Sequence, residues 1–84
     1  MRIRPEIRRQ PAAGAHGWLW DPRTGSVFGL NRSSAFLLDL LAGGAAEAEL
    51  PERLAAAFGL EAPAAVDDTR AFLRQLAEHD LVEL

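Results

Sequence analysis

The chain contains no cysteine and no lysine, and none of its 84 residues falls in an apolar run approaching the roughly 20 residues that span a bilayer. Without cysteine there is no disulfide framework, no zinc–thiolate cluster and no thiol nucleophile. The two histidines, His16 and His79, fall in different elements with no motif around them, which leaves neither a metal site nor a histidine-based catalytic pair. The glycines at 25, 29, 43 and 44 form no GxGxxG or GxxxxGK pattern, so nucleotide loops have no support. Ser33-Ser34 lacks a nucleophile elbow and reads as capping residues at a strand-to-helix junction. Asp67 and Asp68 are adjacent on a helix and point about 100° apart, so they cannot share a proton as a catalytic carboxylate pair does. The start MRIRPEIRRQP is charged and is followed by no apolar signal region, which predicts a cytoplasmic protein with no membrane partner. No cofactor is expected.

What is present is 49% hydrophobic and 25% charged residues, the balance of one small domain over 1–84. A chain this short buries only about 60–65% of its unfolded surface, and an enclosed active site would consume much of the core. This argues against an enzyme. The net charge of −3 is unevenly distributed. Residues 1–32 hold six Arg against Glu6 and Asp21, a balance of +4, whereas residues 33–84 hold three Arg against ten acids, a balance of −7. An acidic total argues against a dedicated nucleic-acid binder, which needs a concentrated basic surface.

The first thirty residues read as short strands separated by breakers. Ile3–Arg9 forms the first, with Pro5 suited to an edge, and Pro11 and Gly14 end it. Gly17–Trp20 and Ser26–Leu30 flank the turn Asp21-Pro22-Arg23-Thr24-Gly25 as a hairpin. At Asn31 the period changes from two to about 3.6. Asn31 or Ser33 caps a helix carrying Ala35, Phe36, Leu37, Leu38, Leu40 and Leu41, and Gly43-Gly44 stops it. A second helix runs from about Leu50-Pro51 to Phe58, ending at Gly59. A third spans about 64–79 with a stripe of Ala65, Val66, Thr69, Phe72, Leu73, Leu76 and Ala77. Arg70 and Arg74 border one side of that stripe, and Asp68, Gln75 and His79 the other. Leu81–Leu84 closes the chain as a short strand. The expected fold class is α+β, with three short antiparallel strands (about 1–30) followed by three helices (about 31–80).

Two features admit two readings each. Arg2, Arg4, Arg8 and Arg9 attract an acidic partner or keep an edge strand soluble. Trp18 and Trp20 project to one face of their strand, and are expected to clamp sheet to helices, the alternative being an exposed contact patch.

The stretch Gly25-Ser26-Val27-Phe28-Gly29-Leu30-Asn31-Arg32-Ser33-Ser34-Ala35, then Leu37–Gly43, and later Asp68-Thr69-Arg70-Ala71-Phe72-Leu73-Arg74-Gln75-Leu76 with Leu81-Val82, resembles the PqqD family in order and spacing over almost the whole chain. Ser34 stands where that family usually has Ala, Thr69 where Val is usual and Asp80 where Gly is usual. The resemblance implies a winged-helix-like, non-catalytic peptide chaperone, the recognition element for ribosomally made, post-translationally modified peptides. It implies that the leader of a precursor adds as a strand beside Ser26, Val27, Phe28, Gly29 and Leu30, against the third helix, for delivery to a modifying enzyme. That enzyme is often a radical S-adenosylmethionine (SAM) enzyme, and pyrroloquinoline quinone (PQQ) biosynthesis is one setting. Val27, Phe72 and Leu73 are the apolar pocket candidates, with Arg70 and Arg74 placed to meet an acidic leader. Phe28 and Leu30 share a face opposite Val27 and Gly29 and are expected to be mostly core. Competing readings are a winged-helix DNA-binding domain, disfavoured by the acidic third helix, and a structural subunit whose Trp18/Trp20 face packs on a maturase.

Overall fold

Pro22 and Gly25 bound the turn between the third and fourth strands of the computed structural model, which describes residues 1–12 and 15–83. The strands are β1 (Arg2–Ile3), β2 (Arg8–Ala12), β3 (Ala15–Asp21), β4 (Ser26–Gly29) and β5 (Val82–Glu83). The helices are α1 (Arg32–Ala42), α2 (Leu50–Phe58), preceded by a 3₁₀ turn at Glu47–Glu49, and α3 (Ala62–Glu78). The α+β order of strands then three helices is as expected, but the strands divide into two sheets. One is β2-β3-β4, antiparallel throughout, and the other pairs β1 with β5.

The expected continuous strand Ile3–Arg9 breaks at Pro5-Glu6. Pro5 has no N–H for a ladder and its fixed φ suits a turn, which Ile7 closes by donating to the Arg4 carbonyl at 3.1 Å. Pro11 does not end its strand. It lies in β2, an edge strand, beside a register irregularity between Gln10 and Ala12. Gly14 lies outside the described residues. Gly17 has φ +83°, and a Cβ there would stand 2.1 Å from the Gln10 carbonyl oxygen, so glycine alone fits.

Helix α1 starts at Asn31 through a reciprocal cap. The Ser34 N–H donates to Asn31 Oδ1, and the Asn31 N–H to Ser34 Oγ, both at 2.8 Å. Gly59, at φ +64°, ends α2. The core comprises Leu19, Leu30, Leu37, Leu38, Leu50, Leu54, Phe72, Leu76, Leu81 and Val82. Leu30 is buried and Phe28 half-buried, as their shared face predicts.

The tryptophans depart from expectation. Trp18 and Trp20 do not clamp sheet to helices; each is 38% exposed on the outer face of the three-stranded sheet. Leu19 holds the inward position between them at 2% exposure, and the leucine-rich helices fill the remaining space, so the period of two turns both indoles outward. On α3, Ala65, Thr69, Phe72 and Leu76 are buried, while Val66 and Leu73 are only half-buried and Ala77 is exposed.

The β1–β5 pair is braced by an arginine–carboxylate latch. Arg4 donates to the Asp80 carboxylate at 2.7 Å and to its carbonyl at 2.9 Å. Arg23, in the β3–β4 turn, reaches the Asp80 carbonyl at 2.9 Å and grips Asp21 with Nη2 at 2.9 Å and Nε at 3.1 Å. Asp21 is 1% exposed. The hydrogen-bonded Arg23 guanidinium holds its carboxyl below the ordinary range, against the opposing effect of burial. Asp80 is likewise lowered, chiefly by its hydrogen bond from Arg4.

Candidate binding groove

Strand β4 is the edge of its sheet, with β3 on one side only. The Leu30 N–H donates to the Gly17 carbonyl at 3.0 Å, and the register pairs Phe28 with Leu19. By the alternation of an antiparallel ladder, Leu30 and Phe28 therefore turn their backbone groups toward β3. Val27 and Gly29 turn theirs to the open edge. That edge presents two donors and two acceptors to an extended chain.

Beside the edge lies a cleft of about 260 Å³ between β4, the first turns of α1 and one flank of α3. Phe28, Leu37, Ala71 and Phe72 form its apolar lining, and Asn31, Ser33, Ser34, Asp68 and Gln75 its polar lining. On α3 the contributors sit at i, i+3, i+4 and i+7, a single stripe of the helix. The stripe continues to the C-cap His79, whose ring meets Phe28 edge-on with centroids 5.4 Å apart. Asn31 Oδ1 and Ser34 Oγ are committed to the helix cap, so the side chains of Ser33, Asp68 and Gln75 supply the remaining polar character.

Of the expected site residues, the structure brings Phe28, Gly29 and Phe72 to this cleft. Ser26 and Val27 lie on the same strand, but Val27 points to the opposite sheet face and is 61% exposed. Leu30 is in the core. Arg70, Leu73 and Arg74 do not line the cleft; they sit roughly 110–150° around α3 from the middle of its lining stripe. Its charged lining residue is thus Asp68 rather than an arginine. Asn31, Ser33, Ser34, Leu37, Asp68, Ala71 and Gln75 were not among the expected site residues. Asp68 and Gln75 lie on the second border of the α3 stripe, which complementarity to an acidic leader does not favour.

Among the described residues no group of three or more metal-ligating side chains is assembled, and no helix is long and apolar enough to cross a membrane. What the cleft offers is an open strand edge above an apolar floor, the geometry of modules that take up an extended peptide by strand addition. The chain belongs to the PqqD family: the model for coenzyme PQQ synthesis protein D matches residues 18–82. Among solved structures it is similar to TbiB1 in complex with the TbiA(beta) leader peptide. The two share 28% identity at a TM-score of 0.87, over 99% of this chain and 95% of that one. It is also similar to a lasso peptide synthetase B1 complexed with the leader peptide, at 29% identity and a TM-score of 0.81, over 93% of this chain and 91% of that one. No curated protein matches it.

Proposed function

We propose that this chain is a non-catalytic peptide-binding module that takes the leader of a ribosomally synthesised precursor as an added strand along β4 and presents it to a modifying enzyme. The observation that carries the reading is the open backbone edge of Val27 and Gly29 beside the cleft lined by Phe28, Leu37 and Phe72. The two similar structures, each holding a leader peptide, support it.

Four edge hydrogen bonds contribute about 0.5–1.5 kcal/mol each, which alone gives modest affinity. Burial of an apolar peptide side chain in the cleft adds about 1.5–3 kcal/mol, before the entropy of ordering the peptide is subtracted. The micromolar binding we expect corresponds to about 8 kcal/mol net, so it needs further side-chain contacts beyond these. The setting is open between two supports: the family description names coenzyme PQQ synthesis, and one similar structure is a lasso peptide synthetase B1. For the first setting the partner we propose is a radical SAM enzyme, as the family resemblance implies.

The direct test titrates the protein with a labelled leader from the nearest short open reading frame of its gene cluster, against a scrambled control. Saturable binding of the true leader alone is expected. Absence of binding at about 100 μM contradicts the reading, since the expected Kd lies well below that concentration.

A further inference from the structure

Among the described residues, and apart from Met1, the large apolar side chains left exposed are Trp18, Trp20 and Val27, and the strand register places all three on one face. Trp20 pairs with Val27 and Trp18 pairs with Gly29. Gly29 has no positive φ, and a Cβ there would meet nothing within 4 Å, so neither backbone conformation nor crowding requires glycine. Its effect is to leave open space beside Trp18 at the edge of the sheet. The opposite face of β4 carries Phe28 and the cleft.

Val27 and Gly29 thus do two things at once. Their backbone groups point along the sheet to the free edge, and their side-chain positions floor the outer face. Any strand hydrogen-bonded to that edge must send its side chains alternately to the two faces. Residues on one parity enter the cleft. Those on the other stand beside Val27 at about 4.5–5.5 Å between Cβ atoms and over the space left by Gly29, with the indoles in the next row.

We infer that the Val27–Trp20–Trp18 shelf reads the outward-pointing side chains of the peptide that adds to β4, so that the peptide is recognised on both faces. The inference rests on the strand-addition reading and specifies its substrate: an extended segment with two adjacent apolar residues. One is bulky and faces the cleft; its neighbour is β-branched or aromatic and lies on the shelf. The peptide is the occupant because the shelf is continuous with the edge that binds it, through the same two residues. Large cross-strand apolar pairs at a sheet edge then supply discrimination that backbone hydrogen bonds cannot, since those are blind to sequence.

The test selects binders from a library of random decapeptides displayed on their own mRNA, using the full chain as bait, and measures the best peptide in solution. Selected sequences are expected to share an adjacent apolar pair. Val27→Asp should weaken the selected peptide about tenfold, as a carboxylate is set against an apolar neighbour. It should cost less than about twofold further once the peptide's outward residue is replaced by Ser, because coupled residues are non-additive. Trp18 and Trp20 are the chain's two tryptophans, so a blue shift in their emission on binding reports the shelf directly, and the Ser-substituted peptide should lose it. Val27 is 61% exposed, and unchanged circular dichroism will establish that the variant folds.

Saturable binding with affinity unchanged in Val27→Asp and no emission change overturns the inference and leaves the groove reading standing. Failure to enrich any peptide overturns both. A concentration-dependent dimer abolished by Trp20→Ala assigns the shelf to a second copy of the chain and overturns the inference. Trp20→Ala that leaves selected-peptide affinity unchanged while abolishing binding to a purified modifying enzyme assigns the shelf to that enzyme, with the same consequence.

Discussion

The β1–β5 pair and the β4 edge are treated in opposite ways. At the β1–β5 end, Arg2 pairs with Glu83 at 2.8 Å, Arg4 with Asp80, and Arg23 joins Asp80 to the buried Asp21, so the polar groups are matched with partners inside the chain. At the β4 edge, Val27 and Gly29 present backbone groups with no strand beyond them, above a cleft between sheet and helix. The contrast separates what the chain closes on folding from the edge at which we propose that a peptide adds. A small domain has little core to hold short peripheral strands, and the arginine latch compensates at the β1–β5 pair.

The latch should be breakable without touching the edge. Asp21→Ala removes the acceptor of two Arg23 side-chain hydrogen bonds and of the Arg23 N–H, leaving a cavity where a buried carboxylate stood. It is expected to lower Tm by several degrees, with leader affinity unchanged. Loss of affinity in step with Tm would merge the two regions into one. Acid should act on the same end. Asp21 and Asp80 are held below the ordinary value of 3.8, so their contribution is complete above that pH and is lost as pH falls through their lowered values. Thermal unfolding of wild type between neutral pH and pH 2 should therefore show a loss that Asp21→Asn reduces. Equal acid sensitivity in the variant would contradict the assignment.

The helix behind the cleft should respond in the other direction. Thr69 is 2% exposed, and its hydroxyl has no hydrogen-bond partner among the described residues. Thr69→Val keeps the shape and removes the stranded polar atom, and should stabilise by about 0.5–1.5 kcal/mol. In a domain of this size that is roughly 2–10 °C in Tm, read by thermal unfolding. The smallest effect belongs to Gly29→Ala, which has room and no conformational penalty, and should stabilise by up to about 1 kcal/mol through backbone entropy.

Much of the closed part of the molecule was legible in the sequence. The switch of period at Asn31, the glycines ending α1 and α2, and the apolar stripe of α3 follow from local chemistry, and each of the three helices falls within a few residues of its expected place. The pairing of β1 with β5 was not legible, because it joins residues about 80 positions apart through two-residue strands with no pattern of their own. The orientation of the tryptophans was half legible. Alternation puts Trp18 and Trp20 on one face, but which face is inside depends on whether Leu19 and the helical leucines already fill the core. The same limit applies to the cleft. Phe28, Gly29 and Phe72 could be chosen from the sequence, but the choice between the Arg70/Arg74 and Asp68/Gln75 borders of α3 depends on how the helix is rotated against the sheet. Core packing sets that rotation, and charge is a poor guide to it.

If a peptide joins the open edge of β4 as proposed, Gly29→Pro should block it. Proline there removes an outward N–H and places a ring at the free edge, while the ladder to β3 runs through Phe28 and Leu30 and is untouched. With Gly29→Ala as the control for added bulk, the account predicts at least about a tenfold loss of leader affinity in Gly29→Pro with the fold retained by circular dichroism. Gly29→Pro that folds and binds leader as tightly as Gly29→Ala would contradict it.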